Sequence, residues 1–542
     1  MDFVRKHYSD TTLKRSQEQV ERERTLGWGP VSMPYNRWLM FPAAFIFQAI
    51  CGSLYAWSVF NDPIDKEIYG IGADGKAITH KAPITFYLAV GFFGLSAAIN
   101  GPWLERVGPR KAALVGTTLF FLGNMIASVG IHTKLIGLIW AGYGVIGGAG
   151  LGLCYISPVS ALQKWFPDRR GVAAGFAVCG FGAGSIALAK VPGPLTKAVG
   201  LTKCFIILGC CYFAIMFVCC LIFRVPPPGF TVNGMDIYRN KVNENGDVEA
   251  HNATKTNTVV DPATTLTLID SMFSREYRLI YIMFFCNSIT GLVFLSRLAN
   301  IAKDIFGRDD NAASTIVSIN GGFNLAGRLF FSSASDLLGR KTCYMIMLGS
   351  QVIILALLPH LMDTKNYTAF CALIWILTAS YGGGFGCIPA FLCDMFGPTN
   401  IGALHGIILT AWSIAGVGGG FIFTAVYDHL LKNGYKVSDT WIYAKNLYWL
   451  LGVAAVGLFV INFVRTSIRD RLLPARDGEF ARIRVFGRLV RFGSFGVEAV
   501  LKDTEDSEWA AYVDSRSSPD TLQEISAPGE KHGDKAELDE VK

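Results

Sequence analysis

The chain has 542 residues, 51% hydrophobic and only 17% charged, whereas a soluble domain carries about a quarter charged residues. Together with many apolar runs longer than about 18 residues, this excludes a soluble enzyme and predicts a polytopic helical membrane protein. The net charge is +7, and the basic residues cluster at particular ends of apolar runs, so they read as topology signals rather than a nucleic-acid surface.

In chain order, residues 1–36 are polar with no short apolar core, and are expected to form a cytosolic tail rather than a signal peptide. Span one covers 37–60 and places Gln48, Gly52 and Tyr55 on one face; a polar loop, 61–81, follows. Spans two to six are expected at 83–103, 112–131, 135–162, 171–191 and 201–223. A polar central loop, 224–276, contains a stretch, LTLIDSMF, that reads as a short surface helix. Spans seven to twelve are expected at 277–305, 312–338, 342–362, 368–396, 401–429 and 443–464. The order is therefore a six-helix bundle (37–223), a loop, a second six-helix bundle (277–466) and a tail (467–542). In that tail ARIRVFGRLVRFGSF reads as an amphipathic helix on the anionic leaflet, with Arg484, Arg488 and Arg491 on one side. Beyond Lys502 the acidic, Pro- and Ser-containing tail reads as disordered.

Basic residues follow span two (Arg106, Arg110, Lys111), span four (Lys164, Arg169, Arg170), span eight (Arg340, Lys341) and span twelve (Arg465, Arg469, Arg471). All share one side if both termini and the central loop are cytosolic, which is the expected topology. The plasma membrane is the expected location, with an organelle membrane as the alternative. The 13 cysteines fall almost wholly inside apolar runs without metal-ligand spacing and read as small core residues. Cys219 and Cys220 also admit palmitoylation. No Gly-x-x-x-x-Gly-Lys-Ser/Thr stretch and no His/Cys/Asp cluster appears, so no nucleotide, metal or other cofactor is expected.

Span eight carries the most informative charge. Asn320, Asn324 and Arg328 are spaced by four and line one helix face. At about 1.5 Å per residue, Arg328 lies roughly 12 Å before Asp336, where the helix leaves the membrane. A charge this deep costs at least about 2.5–3.5 kcal/mol, and no acid lies within four residues of it. A substrate anion is the expected partner; the alternative is a structural arginine bonded to carbonyls of neighbouring helices.

The halves repeat. Glu105 and Gly108 lie 231 residues before Asp336 and Gly339, Pro158 before Pro389, and Gly171 and Gly175 before Gly402 and Gly406. Six spans per half make this a parallel repeat, which places a substrate site near the midplane between the halves.

These features resemble the major facilitator superfamily, whose members have twelve spans in two halves and a Gly-x-x-x-Asp-Arg-x-Gly-Arg-Arg/Lys motif after spans two and eight. Here the first copy is Gly101, Glu105, Arg106, Gly108, Arg110 and Lys111, with Pro109 in place of an arginine. The second is Ser332, Asp336, Gly339, Arg340 and Lys341. An acid ending one span can sit at the positive N-terminus of a facing helix, which would be span eleven for Glu105 and span five for Asp336. Such contacts would gate that end of the transporter.

The resemblance narrows at CGSLYAWSVFNDPI, at LTLIDSMFSREYRLIYIMFF and at the pair Gly327-Arg328, which look like the oxalate–formate exchanger branch. An arginine at that place also occurs in animal-type monocarboxylate transporters. The oxalate-transporting members carry a lysine in span eleven; the matching place here is Trp412. Two cations suit a dianion and one suits a monoanion, so the resemblance implies a small monocarboxylate such as formate, lactate or pyruvate, moved by proton symport or by exchange.

Gln48, Tyr55, Tyr155, Asn324, Tyr381 and Trp412 are the expected companions of Arg328 in the site, and His405 the candidate for a coupled proton. The same aromatics would suit a packed core. Arg297, near the outer end of span seven, is a candidate second cation, and Asp394 reads as a structural acid at a helix end. Competing expectations are an oxalate or dicarboxylate exchanger, a neutral-solute porter in which Arg328 would be idle, and a nutrient sensor that does not transport. A small organic anion, with or without protons, and the lipid bilayer are the expected partners, and a monomer the expected working unit.

Overall fold

A computed structural model describes residues 2–9, 13–28, 31–71, 81–188, 190–237, 266–436, 438–485, 488–494 and 496–516. Ten of the described helices are long and apolar enough to cross a bilayer. They are spans one to four (Arg37–Ala56, Pro83–Val107, Pro109–His132, Ile136–Trp165), span six (Leu201–Ile222), span seven (Arg275–Phe294) and spans nine to twelve (Arg340–Asp363, Tyr367–Phe396, Ile401–Lys432, Thr440–Ile461). The glycine-rich helix Arg170–Leu188 and the helix Asp310–Leu338 take the places of spans five and eight. In span eight Asn320, Asn324 and Arg328 lower the hydropathy that marks the others.

Local chemistry sets where these helices begin and end. Span seven starts where the Ser274 side chain accepts the Tyr277 amide, and span eight where Asp309 accepts that of Ala312, each satisfying an otherwise orphaned donor. Spans two and eight stop at Gly108 and Gly339, whose φ angles of 85° and 87° lie in a region that other residues resist. The next helix starts immediately after each.

Two spans are irregular. Span one is α-helical over Met40–Cys51, tightens to a 3-10 turn over Gly52–Ala56 and resumes as Ser58–Tyr69. Part of the expected loop at 61–81 is therefore helical: the buried Asp65 carboxylate accepts the Lys81 and Ala82 amides at 3.1 and 2.9 Å and holds the returning chain against the helix. Span four contains a π-helical stretch, Trp140–Gly147, within its run of glycines. Leu268–Phe273 is the short helix expected before span seven; residues 238–265 of the central loop lie outside the described residues.

The two halves meet along two repeat-related crossings, span two with span eleven and span five with span eight. In a bilayer the lipid tails remove the hydrophobic drive between helices, so small residues that permit close backbone approach decide such contacts. A Cβ on Gly101 would stand 2.6 Å from the Ala403 Cα, and one on Gly175 would stand 2.6 Å from the Ser332 Cβ.

The tails contain strands. β1 (Thr25–Trp28) and β2 (Val31–Pro34) form a hairpin. Arg465–Lys542 belongs to a separate unit, described as far as residue 516. There β3 (Glu479–Val485), β4 (Arg488–Gly493) and β5 (Gly496–Ala499) form an antiparallel meander, followed by the helix Lys502–Arg516. The amphipathic helix expected for ARIRVFGRLVRFGSF is thus overturned. Arg482, Ile483, Arg484 and Val485 alternate with a period of two, which suits a strand, and Ile483 faces Val490 across the ladder. Nor is the segment after Lys502 without structure: it is helical to Arg516, while residues 517–542 lie outside the described residues.

Arg484 and Arg491 are paired rather than free for lipid. Arg484 reaches Asp470 at 2.6 Å and Glu505 at 2.7 Å, and Arg491 reaches Glu508 at 2.5 Å. The Glu508 carboxyl is held down to about 2, chiefly by its hydrogen bond to Arg491 and then by Arg476. A carboxyl depressed by folding contributes stability that is present above its ordinary value of about 4.3 and is lost as pH falls toward 2. Hydrogen exchange in the full chain, corrected for intrinsic rates, should show protection of β3 and β4 falling across that window. E508Q should lower protection at pH 7 and flatten the acid response; an unaltered acid response in E508Q contradicts the assignment.

Candidate functional site

Arg328 lies between the halves with 1% of its surface exposed. Its Nε donates to Asn324 Oδ1 at 3.0 Å and its Nη1 to the Val178 carbonyl of span five at 2.9 Å. Its guanidinium carbon sits 4.9 Å from the Phe385 ring centre and 5.8 Å from that of Phe181. Among the described residues no carboxylate pairs with it. A fully buried cation bonded only to neutral oxygens keeps most of its capacity to bind an anion, because neutral acceptors repay only part of its lost hydration.

Residues from both halves gather around it. The Tyr55 and Tyr155 hydroxyls lie beside the guanidinium. Tyr55 and Tyr381 join the halves through their hydroxyls at 3.1 Å, and Trp412 Nε1 donates to the Tyr381 hydroxyl, also at 3.1 Å. Gln48 donates to the Tyr155 carbonyl at 2.9 Å. The Trp412 ring packs edge-on to Phe93 (5.1 Å) and Phe385 (6.0 Å), and Tyr155 meets Phe181 edge-on at 5.5 Å. The result is one cation in an aromatic cage drawn from spans one, two, four, five, ten and eleven.

Polar capacity in this region is left over. Gln48 Oε1, the Tyr155 hydroxyl, Asn320 Oδ1, Asn324 Nδ2 and both His405 ring nitrogens are buried without a hydrogen bond of ordinary geometry among the described residues. Buried polar atoms are nearly always partnered, so these are exceptions to the usual pattern. The Asn324 amide and the Tyr155 hydroxyl are donors that a carboxylate accepts.

Every polar companion expected for Arg328 is within this cluster or bonded to a member of it. His405 is fully buried, with its ring 5.7 Å from that of Tyr155. Arg297 is engaged elsewhere: it donates to Thr424 at 2.9 Å and lies over the rings of Phe423 and Tyr427. Phe93, Phe181 and Phe385 were not expected. A sequence signal exists for two of them, since Phe181 and Phe385 each sit in a Gly-Phe-Gly triplet, which leaves the ring free of flanking side chains.

The motif residues form two crossings at one end of the bundle. Glu105, 4% exposed, accepts the Gly402 amide at the start of span eleven at 2.6 Å and the Ser160 hydroxyl at 3.1 Å. It also pairs with Lys164. Asp336 accepts the Gly171 and Val172 amides at the start of span five at 3.1 and 3.2 Å, and the Arg340 guanidinium at 2.6 Å. A carboxylate at a helix N-terminus meets orphaned N–H groups and the positive end of the helix dipole together. Side chains on Gly402 or Gly171 would stand within 2.6 Å of these carboxylates, so both amides need glycine.

Two residues carry more than the sequence reading gave them. Lys164, read as a topology signal, is a buried partner of Glu105. Asp394, read as a structural acid at a helix end, bridges the halves: it accepts from Arg340 at 2.9 Å and from Arg170 at 3.0 Å. Arg106 turns to the N-terminal segment at His7, and Arg110 is exposed.

The sequence profile of the Major Facilitator Superfamily matches residues 77–420 and 280–495. The uncharacterized MFS-type transporter YhjX of Escherichia coli (strain K12) is 25% identical over 388 residues, 72% of this chain and 88% of that protein. The oxalate:formate antiporter of Oxalobacter formigenes is 22% identical over 394 residues, 72% of this chain and 85% of its own. The apicoplast pyruvate carrier 1 of Toxoplasma gondii is 22% identical over 402 residues, 67% and 73% of the two chains. Among solved structures, the proton:xylose symporter XylE bound to 6-bromo-6-deoxy-D-glucose aligns with a TM-score of 0.56, at 14% identity, over 79% of this chain and 96% of that one. A bacterial homologue of the iron transporter ferroportin in its outward-facing state gives 0.56, also at 14% identity, over 78% and 98%. At such identity the likeness to solved structures is one of fold.

The two acid–amide crossings predict which changes part the halves at this end. D336N keeps shape but loses charge-assisted bonds worth about 1.5–3 kcal/mol each, so the open-to-closed ratio there should rise roughly tenfold or more. E105Q should act in the same direction and also cost stability, because Lys164 is left buried and unpaired. Disulfide crosslinking between cysteines at the facing ends of spans two and eleven reads this out. Crosslinking at the wild-type rate in both variants counts against the crossings as a closure.

Proposed function

The chain belongs to the Major Facilitator Superfamily, and within it we propose that this protein is a secondary transporter of small monocarboxylates of the formate, lactate or pyruvate type, working by alternating access. The observation that carries the reading is Arg328: a guanidinium between the halves, 1% exposed, that donates to Asn324 and the Val178 carbonyl and pairs with no carboxylate among the described residues.

The chemistry of the cage supports the substrate class. A guanidinium offers a carboxylate two parallel charge-assisted bonds, and the Tyr155 and Asn324 donors stand beside it. Trp412, Phe93, Phe181 and Phe385 favour a small apolar remainder and exclude water, which strengthens each electrostatic contact inside. One cation balances one carboxylate. Oxalate would bring a second charge, and Trp412 presents an indole rather than a cation on that side. The relatives named as an oxalate:formate antiporter and a pyruvate carrier support an organic-anion substrate.

The mechanism follows from Arg328 bridging the halves. An arriving carboxylate replaces the Val178 carbonyl on the guanidinium, which loosens the span-five contact while the anion holds the same charge. Because ligand binding can only shift an equilibrium by its differential affinity for two states, the anion must be held best when Tyr55 and Tyr381, from opposite halves, close over it. Opening toward the Glu105 and Asp336 end requires the acid–amide crossings to part. The basic residues at that end support its placement in the cytosol, together with both termini and the central loop. His405, buried beside Tyr155, is the candidate to take a proton in the symport mode; exchange needs none.

Substitutions of Arg328 test this in proteoliposomes supplied with labelled formate, lactate, pyruvate and oxalate, with and without a pH gradient. R328K keeps charge but loses the fork and should impair transport; R328A should impair it further. Losing a buried charge–anion contact costs roughly 2–5 kcal/mol, so binding should fall at least about tenfold. W412K adds a cation and should improve oxalate relative to formate. A folded R328A that moves monocarboxylates like the wild type makes the arginine structural and removes the substrate class.

A further inference from the structure

One element at the motif end belongs to neither the repeat nor the cage. The helix Asp2–Ser9 packs on span two of the first half and on the helix Leu268–Phe273, which leads into span seven of the second. It therefore touches both halves at the end where Glu105 and Asp336 join them. Its Tyr8 hydroxyl donates to the Ala98 carbonyl of span two at 3.1 Å.

His7 makes three contacts with span two. Its carbonyl accepts Arg106 Nη1 at 2.9 Å, its ring Nδ1 faces Arg106 Nη2 at 3.0 Å, and its Nε2 faces the Ile99 carbonyl at 2.7 Å. These partners fix the tautomer. A guanidinium only donates, so Nδ1 must present a lone pair; a carbonyl only accepts, so Nε2 must carry the hydrogen. Only the neutral ring satisfies both. A proton on Nδ1 would set a donor against a donor and bring two positive charges to hydrogen-bond distance.

We propose that the Asp2–Ser9 helix is a clamp across the motif end, pinned by His7 on Arg106, and that protonation of His7 withdraws the pin and lets that end open. The docked geometry accepts only the neutral ring, so a proton on Nδ1 sets the His7 ring against Arg106 and opposes docking. Among the described residues, the charged and titratable groups around the clamp come from every element packed on it. Span two gives Arg106, and also Glu105, which is committed to Lys164, Ser160 and Gly402. The helix Leu268–Phe273 gives Asp270, whose carboxylate accepts the Thr267 hydroxyl at 2.6 Å. Span seven opens with Arg275 and Glu276, each with interactions of its own, and Tyr277, which lies near Tyr8. Lys6 and Tyr8 share the clamp with His7. Of these, Arg106 is the group in contact with the ring.

This inference needs no substrate assignment, so it stands or falls separately from the transport reading. The test uses the full chain in liposomes with spin labels at R169C and L337C. Both positions are exposed, at the motif end, on opposite halves. The exposed Cys210 and Cys211 are replaced by serine to avoid labelling. Distances between the labels are read by electron paramagnetic resonance at pH 7.5 and 5.5. The parent chain should show one short distance at pH 7.5, and a longer population should rise at least about tenfold at pH 5.5. H7A should show the longer population at both pH values, as should H7K, which fixes the positive charge. Y8F removes one clamp bond but not the titrating ring, so it should move the release to higher pH. A parent distribution indifferent to pH, or an H7A response that tracks the parent, overturns the clamp.

Discussion

A guanidinium held between two helical bundles, out of water and without a carboxylate among the described residues, is the constraint around which the membrane part is arranged. Arg328 draws Asn324 from its own helix and the Val178 carbonyl from the opposite half, and it lies over aromatic faces that a charge tolerates better than aliphatic groups. Its neighbours have their own hydroxyl, amide and indole groups turned inward. Among the described residues the centre of the protein thus holds one buried guanidinium beside unpartnered polar atoms.

The motif end solves a different problem. There the two halves meet, and hydrophobic packing provides no force for this within lipid. The contacts are acids placed on the first amides of facing helices, where dipole and orphaned donors act together. The two crossings are not equal. Glu105 is sealed by one buried lysine, whereas Asp336 belongs to a surface-reaching network of Arg340, Asp394 and Arg170. The second can exchange partners with water during opening. The first cannot do so without exposing a buried ion pair, so the span two and span eleven crossing is the more costly to open.

Much of this was legible in the sequence. Apolar length and the placement of basic residues gave the spans, and the offset of 231 residues gave the repeat and hence which helices face one another. Tyr55, Tyr155, Tyr381 and Trp412 were visible as aromatics beside glycines on spans expected to face inward by pattern alone, yet the same pattern describes a packed core. Phe93, Phe181 and Phe385 were invisible as site residues because a phenylalanine in a membrane helix is the commonest of observations. The C-terminal segment was misread because arginines spaced by three and four residues suit a helix, while the alternation of arginine with β-branched residues suits a strand. Pairing with Asp470, Glu505 and Glu508 decided for the strand.

The sequence by itself determined the apolar spans of the chain, the presence of a charge that lipid does not tolerate, and the two acids that end spans two and eight, because each follows from a local cost: hydrophobic length, charge burial and helix termination. Only the tertiary structure decided what those charges meet. That Lys164 leaves the lipid surface to pair with Glu105, that Asp394 ties the halves together, and that His7 lies on Arg106 depend on residues 59, 224 and 99 positions apart in sequence. Electrostatic contacts of this kind are set by distance and burial, neither of which is written in the order of the residues.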